Sequence, residues 1–271
     1  MNCFIGALLF FCFFLSHGDL DLRILEKSNQ IATNPLDQEL YLERGELYLL
    51  HEEFLNARLD FTFCLDHKLD NTRVLLGMSK SLLNLNSPDS ALQYVNRVLA
   101  GEENNLPALE LKGTILSALG KYCDAASTME RLISLAERPS PALFLEASKD
   151  WESCSENGSS QKEIQLLNEG IRRIGPIGVI QQQLVSAYKR QDRYEEAIQI
   201  QSSIIEHSDL KIRPYFERAQ LLIEMHWPDK AKEDLNIALL LIEQLPVQKK
   251  SLASIDNMRS EIIVLLTELK K

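Results

Sequence analysis

The chain has 271 residues, 45% of them hydrophobic and 25% charged, with 11 glycines and 9 prolines, a composition that excludes disordered, collagen-like and multi-span membrane classes. Its formal charge of −10 argues against a nucleic-acid partner, because affinity for phosphates needs a basic face that this composition does not supply. The length suits one or two globular domains, or an elongated array whose core grows with each added unit.

The first eighteen residues, MNCFIGALLFFCFFLSHG, contain no Lys, Arg, Asp or Glu and run apolar from Phe4 to Leu15. That run is shorter than the roughly 20 residues needed to span a bilayer, and Ser16 and Gly18 suit cleavage before Asp19. Residues 1–18 are therefore predicted to be a signal peptide that exports the chain to the periplasm or the medium. The only positive charge at the start is the terminal amine, which leaves an uncleaved interfacial anchor as the alternative. Cleavage removes Cys3 and Cys12 and leaves Cys64, Cys123 and Cys154, an odd number for an oxidising compartment. Cys64 sits in an apolar helical run and reads as a small buried hydrophobe. Cys123 and Cys154 fall in turns of neighbouring units, where pairing between them is left open.

Asp19 to Thr33 reads as an amphipathic helix with Leu22, Leu25 and Ile31 on one side, stopped by Asn34-Pro35. With its linker it forms an N-terminal cap over 19–37. Beyond it the sequence repeats itself. Small residues return at Ala57, Ala91, Ala125, Ala197 and Ala231, and a second small ladder runs through Gly45, Ser79, Gly113, Ala147, Val185 and Ala219. A third ladder, mostly large, runs through Tyr41, Leu75, Leu109, Leu143, Gln181 and Tyr215. All three have a period of 34 residues, and the last two place four extra residues between Ala147 and Val185. Within a unit the apolar positions recur at helical spacing, as in Tyr41, Gly45 and Tyr48, and after a polar turn in Ala57, Phe61, Cys64 and Leu65. Each unit is thus predicted to be a helix, a turn and a second helix. A two-helix unit cannot bury both faces alone, and stacking buries them. The units are 38–71, 72–105, 106–139, 140–177, 178–211 and 212–245, the fourth carrying a polar loop, SCSENGSSQK, from Ser153 to Lys162. A final helical stripe, Leu252, Ile255, Met258, Ile262, Leu265, Leu266 and Leu269, follows Pro246 and makes a C-terminal cap over 246–271.

At these residues the chain resembles the tetratricopeptide repeat (TPR) family. The fifth unit carries the resemblance best, with Leu184, Val185, Tyr188, Tyr194, Ala197 and Ile204, followed by the first, with Gly45, Tyr48, Phe54, Ala57 and Phe61. The departures are the missing helix-ending proline in most units, Gln181 in place of a bulky residue, and Asp150 where an aromatic or Leu is usual. The resemblance implies an all-α, right-handed TPR solenoid of about six helix-turn-helix repeats with capping helices at both ends. The stretches NPLDQELYLERGELYL and RPSPALFLEAS further resemble exported bacterial TPR proteins of unassigned function.

In that family the first helices of the pairs line a concave channel. The rows one step round from the packing face give Leu42, Leu49, Leu76 and Leu83 as one apolar patch, Phe144 and Trp151 as a second, and Phe216 and Ile223 further along. These eight residues are the candidate protein-binding groove, since exposed aromatic clusters mark interaction sites. The competing reading packs them under neighbouring helices. Co-chaperones of the family that hold a C-terminal carboxylate use Lys, Arg and Asn along these rows, and the corresponding Leu42, Glu46, Gly77, Pro107 and Leu111 disfavour that use.

Chemistry finds little footing. His51-Glu52 starts a zinc-protease motif that fails at Leu55, and no nucleotide-binding loop, nucleophile elbow or paired-acid motif occurs. His51 and His226 fall in turns and His67 and His207 near helix ends. Asn157-Gly158-Ser159 is a glycosylation sequon only in a host that modifies such sites. The sequence therefore predicts no catalytic, cofactor-binding or metal-binding residues. It predicts a non-catalytic scaffold or adaptor that binds a peptide or protein segment in its concave groove, in a bacterial envelope complex, membrane-associated or not. The alternative is a structural or assembly subunit docking through its convex face or its C-terminal helix.

Overall fold

The computed structural model describes residues 19–269, and every regular element among them is a helix, fifteen in all. The predicted signal peptide, 1–18, lies outside the described residues. The chain divides after Glu137 into two compact units. The first holds α1 (19–33), α2 (Gln38–Leu50), α3 (Phe54–Asp66), α4 (Thr72–Asn84), α5 (Pro88–Gly101), α6 (Leu106–Ala118) and α7 (Tyr122–Leu135). The second holds α8 (Pro141–Ser153), α9 (Ser159–Ile174), α10 (Gly178–Lys189), α11 (Tyr194–His207), α12 (Ile212–Glu224), α13 (Pro228–Glu243), α14 (Val247–Lys250) and α15 (Ala253–Glu268). In each unit, helices adjacent in sequence pack as antiparallel pairs, and each pair stacks on the next. No helix among the described residues is long and apolar enough to cross a membrane.

Local chemistry sets the helix boundaries. In the first unit the leading helix of each pair starts behind an acid or amide whose side chain accepts a backbone N–H: Asp37 from Glu39 (3.1 Å), Asn71 from Val74 (3.0 Å) and Asn105 from Ala108 (2.9 Å). Inside the pairs, Glu52, Asn86, Gly120, Asp192 and His226 take positive φ between 54° and 72°. The residue after each donates its N–H five residues back, as from Glu53 to Tyr48 (2.8 Å), Lys121 to Leu116 (2.9 Å) and Trp227 to Leu222 (2.8 Å). This is the Schellman closure, repeated so that every second helix leaves its turn in the same direction. The α8–α9 pair departs from it. Its turn is the longer Cys154–Gly158 segment with Gly158 at φ 87°, and residues Ser159–Lys162, predicted to be loop, form the first turn of α9.

The small ladder lies where helices cross. Ala57, Ala91, Ala125, Ala197 and Ala231 are fully buried. Phe61 fills the space between Gly45 and Gly77, where an added methyl would sit 2.9 Å and 2.3 Å from its ring. The missing side chains let the backbones approach around that ring. In the fourth pair the place 34 residues before Ala197 belongs to Glu163. Its buried carboxylate accepts from Ser148 Oγ (3.0 Å) and pairs with Arg190 (2.6 Å), which satisfies a charge that burial would otherwise penalise heavily.

The caps differ from their predicted stripes. Of the predicted apolar side of α1 only Ile31 is buried, while Leu22 and Leu25 face solvent, and α1 is held instead by polar ties from Lys27 to Glu43 and from Arg44 to Ser28. At the other end the single predicted helix is two, α14 and α15, broken at Ser251–Leu252. Ile262 is buried, and Ile255, Met258, Leu265, Leu266 and Leu269 pack against the core of α12 and α13.

Candidate protein interface

The predicted groove residues do not form an exposed surface. In the first unit Leu42 is fully buried and Leu49, Leu76 and Leu83 are half-buried against the same core. In the second, Phe144, Trp151 and Phe216 are buried and Ile223 half-buried. The reason is geometric: a row one step round from the crossing still meets the leading helix of the next pair, as α2 meets α4 and α8 meets α10. Phe144 packs over Gly170, where an added methyl would lie 3.1 Å from its ring, and Lys162 Nζ covers the Trp151 ring at 4.2 Å. The neighbouring polar row is the one that reaches solvent, and part of it is already paired. Arg73 donates to Glu39 (2.6 Å) and to both carboxylate oxygens of Glu46 (3.0 and 2.7 Å). Cys64 is a buried free thiol whose burial pushes its pKa up to about 12.

A different set of residues organises the opposite side of the pairs, where successive second helices flank a leading helix. In the first repeat Arg44 of α2 reaches Asp60 of α3 through Nε (2.8 Å) and Nη2 (2.7 Å), and its Nη1 donates to Ser28 Oγ of α1 (3.1 Å). Three consecutive helices are joined by one planar guanidinium, whose fork matches a carboxylate in two bonds. The Tyr41 and Tyr48 rings flank Arg44 at 5.5 and 5.7 Å, and Phe63 stacks on Tyr41 at 3.7 Å, so the cleft beside the clamp is filled. The bonds to Asp60 strengthen the protonation of Arg44, whereas burial pushes the Asp60 carboxyl above its ordinary value against the pull of Arg44. Desolvation outweighs attraction at the acid, so the clamp serves geometry more than net stability.

The last repeat rebuilds the same device. Arg218 of α12 reaches Asp234 of α13 at 2.7 and 2.7 Å and donates to Ser202 Oγ of α11 at 3.0 Å, with Tyr215 flanking it at 5.5 Å. Each clamp has members 16 residues apart, and each serine hydroxyl in turn donates a hydrogen bond to a carbonyl one turn earlier, Ser28 to Ile24 and Ser202 to Ile198.

The third repeat does not. Two periods on from Ser28, Arg44 and Asp60 stand Asn96, Lys112 and Thr128, and all three line an open cleft of about 700 Å³ between α5 and α7, over α6. Its floor is Leu92, Leu99, Leu109 and Leu116, the last two standing where Tyr41 and Tyr48 fill the first repeat. Arg131 is held at one end by Glu103 (2.7 Å) and Asn104 (2.9 Å). Lys121, Asp124 and Ser127 complete the rim. Sequence reasoning missed both clamps and cleft, although the signal was a recurrence at the same period that revealed the small residues.

No protein-family model matches the sequence, and no curated protein matches it. Solved structures do. A tetratricopeptide repeat protein from Parabacteroides merdae ATCC 43184 superposes with a TM-score of 0.54 at 16% identity, over 95% of each chain. The MamA protein superposes with a TM-score of 0.54 at 16% identity, over 62% of this chain and 90% of its own. YrrB, a TPR protein with an unusual peptide-binding site, gives 0.51 at 12% identity over 78% of this chain and 98% of its own. Similarity at this level carries the architecture, and together with the 34-residue period and the paired helices it identifies this chain as having the tetratricopeptide repeat fold.

Proposed function

We propose that the chain is a non-catalytic interaction scaffold that binds an extended peptide or protein segment, and that it works in a bacterial envelope complex after export directed by residues 1–18. The observation that carries the binding reading is the α5–α6–α7 cleft, where an apolar floor and a polar rim stay open in a fold whose equivalent cleft is filled in the first repeat. Clefts that combine apolar contact with convergent polar groups suit ligands. The TPR fold and the peptide-binding site of YrrB agree with it. Export is supported by the uncharged apolar segment of residues 1–18.

A second reading, a docking subunit that uses its C-terminal end, is favoured by an apolar groove of about 370 Å³ formed by residues that include Leu210, Leu245, Leu252, Ile255 and Met258. Photo-crosslinking in the native host separates the two. A crosslinker at Ser127 is expected to capture a partner, and one at Leu252 is not. Capture from Leu252 alone transfers the function to the C-terminal groove, and capture from neither overturns the scaffold reading. Fractionation of an epitope-tagged full chain tests export, with the tag expected outside the cytoplasm and residues 1–18 absent.

A further inference from the structure

We infer that the α5–α6–α7 cleft receives an aspartate or glutamate side chain from a partner peptide, with Lys112 as its cationic donor; this rests on the scaffold reading and names the chemistry of what is bound. The molecule supplies its own precedent twice. At the corresponding place in the first and last repeats a carboxylate of the following helix, Asp60 or Asp234, meets the cation of the leading helix, Arg44 or Arg218, at 2.7 to 2.8 Å. In the third repeat the cation is retained as Lys112, but its internal acid is replaced by Thr128. Lys112 has no ion-pair or hydrogen-bond partner among the described residues, and it faces the cleft in the company of Asn96 and Thr128. The vacancy is large because two tyrosines have become Leu109 and Leu116.

The surroundings define the guest further. Lys121 adds a second unpartnered cation to the rim. Arg131 is neutralised by Glu103, and Asp124 is the one other acid facing the cleft, so the site has a small positive excess on a chain whose formal charge is −10. Asn96 offers an amide donor to the second carboxylate oxygen, whereas the hydroxyls of Ser127 and Thr128 already donate to the carbonyls of Cys123 (2.8 Å) and Asp124 (2.7 Å). The leucine floor accepts an apolar neighbour of the acid. The guest is therefore a segment in which Asp or Glu lies beside a large aliphatic residue. Its carboxylate gains a charge-assisted hydrogen bond, and the aliphatic side chain is removed from water.

Fluorescence anisotropy with synthetic capped peptides tests this on the whole chain. One peptide pool has a Leu-Asp-Leu or Leu-Glu-Leu centre with randomised neutral flanks, and the control pool has Asn or Gln at the central position. The acidic pool is expected to bind roughly tenfold tighter than the amide pool, the loss of one charge-assisted contact. Lys112→Gln is expected to reduce acidic binding to the amide level while leaving the melting temperature unchanged. Equal binding of both pools, binding that survives Lys112→Gln, or no binding of either pool overturns the inference. Dimerisation that is lost on Lys112→Gln in sedimentation also overturns it, by assigning the cleft to a second copy. These failures are distinct from failure of the scaffold reading, which is judged by crosslinking at Ser127: a partner captured equally well by wild type and Lys112→Gln leaves a scaffold whose guest is not an acid.

Discussion

The first and third repeats place the same three positions around the same kind of cleft and use them differently. In the first, Ser28, Arg44 and Asp60 close on one another, and Tyr41 and Tyr48 fill the remaining space. In the third, Asn96, Lys112 and Thr128 line an opening over Leu109 and Leu116. The helix beside the first repeat, α1, is held by polar ties more than by apolar stacking. With Leu22 and Leu25 of α1 exposed and only Ile31 buried, the guanidinium clamp does for α1 what hydrophobic stacking does inside.

The comparison breaks most sharply at the clamp. Arg44→Ala strands the buried Asp60 carboxylate and cuts the tie to α1, and it is expected to destabilise by about 3 kcal/mol in urea unfolding. Lys112→Ala removes no partner and is expected to fall within about 0.5 kcal/mol of wild type. Equal losses at the two sites would show that Lys112 has an internal acid after all. Replacing the pair together, Arg44→Met with Asp60→Leu, should recover much of the loss, because an apolar pair avoids the desolvation that burial of Asp60 imposes.

Helix crossings give the next largest contrast. A methyl at Gly77 meets the wedged Phe61 ring at 2.3 Å, whereas one at Gly113 meets the flexible end of Met129 at 2.8 Å. Gly77→Ala is expected to destabilise by about 2 kcal/mol through overpacking. At Gly113 the gain in helix propensity, about 1 kcal/mol, offsets a thioether that can turn aside. Thermal melts of the two variants should separate accordingly.

Much of this was legible before any coordinates. Glycines and alanines at a fixed period specify helix crossings because only small residues tolerate close backbones, and Ala57, Ala91 and Ala125 are buried as that logic requires. The binding rows were not legible, since periodicity tells which residues share a face but not how far the next helix reaches across it; Leu42, Phe144 and Trp151 are covered for that reason. Glu163 escaped because the four-residue insertion conceals its membership of the alanine ladder. The clamps escaped because the period was traced through small and large apolar positions alone, although Ser28, Arg44 and Asp60 recur as Ser202, Arg218 and Asp234 with that same insertion accounted for. An open cleft is harder still, being defined by side chains that are missing relative to a sister repeat.

Cys64 offers a probe of closure in the first repeat that needs no added label. It is fully buried and its pKa is pushed up to about 12 by desolvation, so the native thiol should resist alkylation at neutral pH. Because the folded value lies above the unfolded one, near 8.5, its contribution to stability is complete below that value. The contribution declines as pH rises toward about 12, since the unfolded chain then sheds a proton that the folded chain keeps. Between those limits wild type should lose stability relative to Cys64→Ala, by about 1 to 2 kcal/mol at about pH 10. Parallel pH dependences would place the thiol in contact with water and weaken the description of the first repeat as closed.

A small expected change in stability carries the most information. Lys112→Arg with Thr128→Asp installs in the third repeat the pair that closes the first. A buried or half-buried ion pair roughly breaks even against its desolvation, so unfolding should shift by less than about 1 kcal/mol. Binding should not break even, because an internal carboxylate now occupies the cation at an effective concentration that a free peptide cannot match. Loss of the acidic peptide at nearly constant stability would show that an internal acid and the peptide's acid compete for the cation at position 112. Retained binding would instead locate the peptide's carboxylate away from Lys112, at the Lys121 end of the cleft, where Asp124 stands beside it and the clamp offers no precedent.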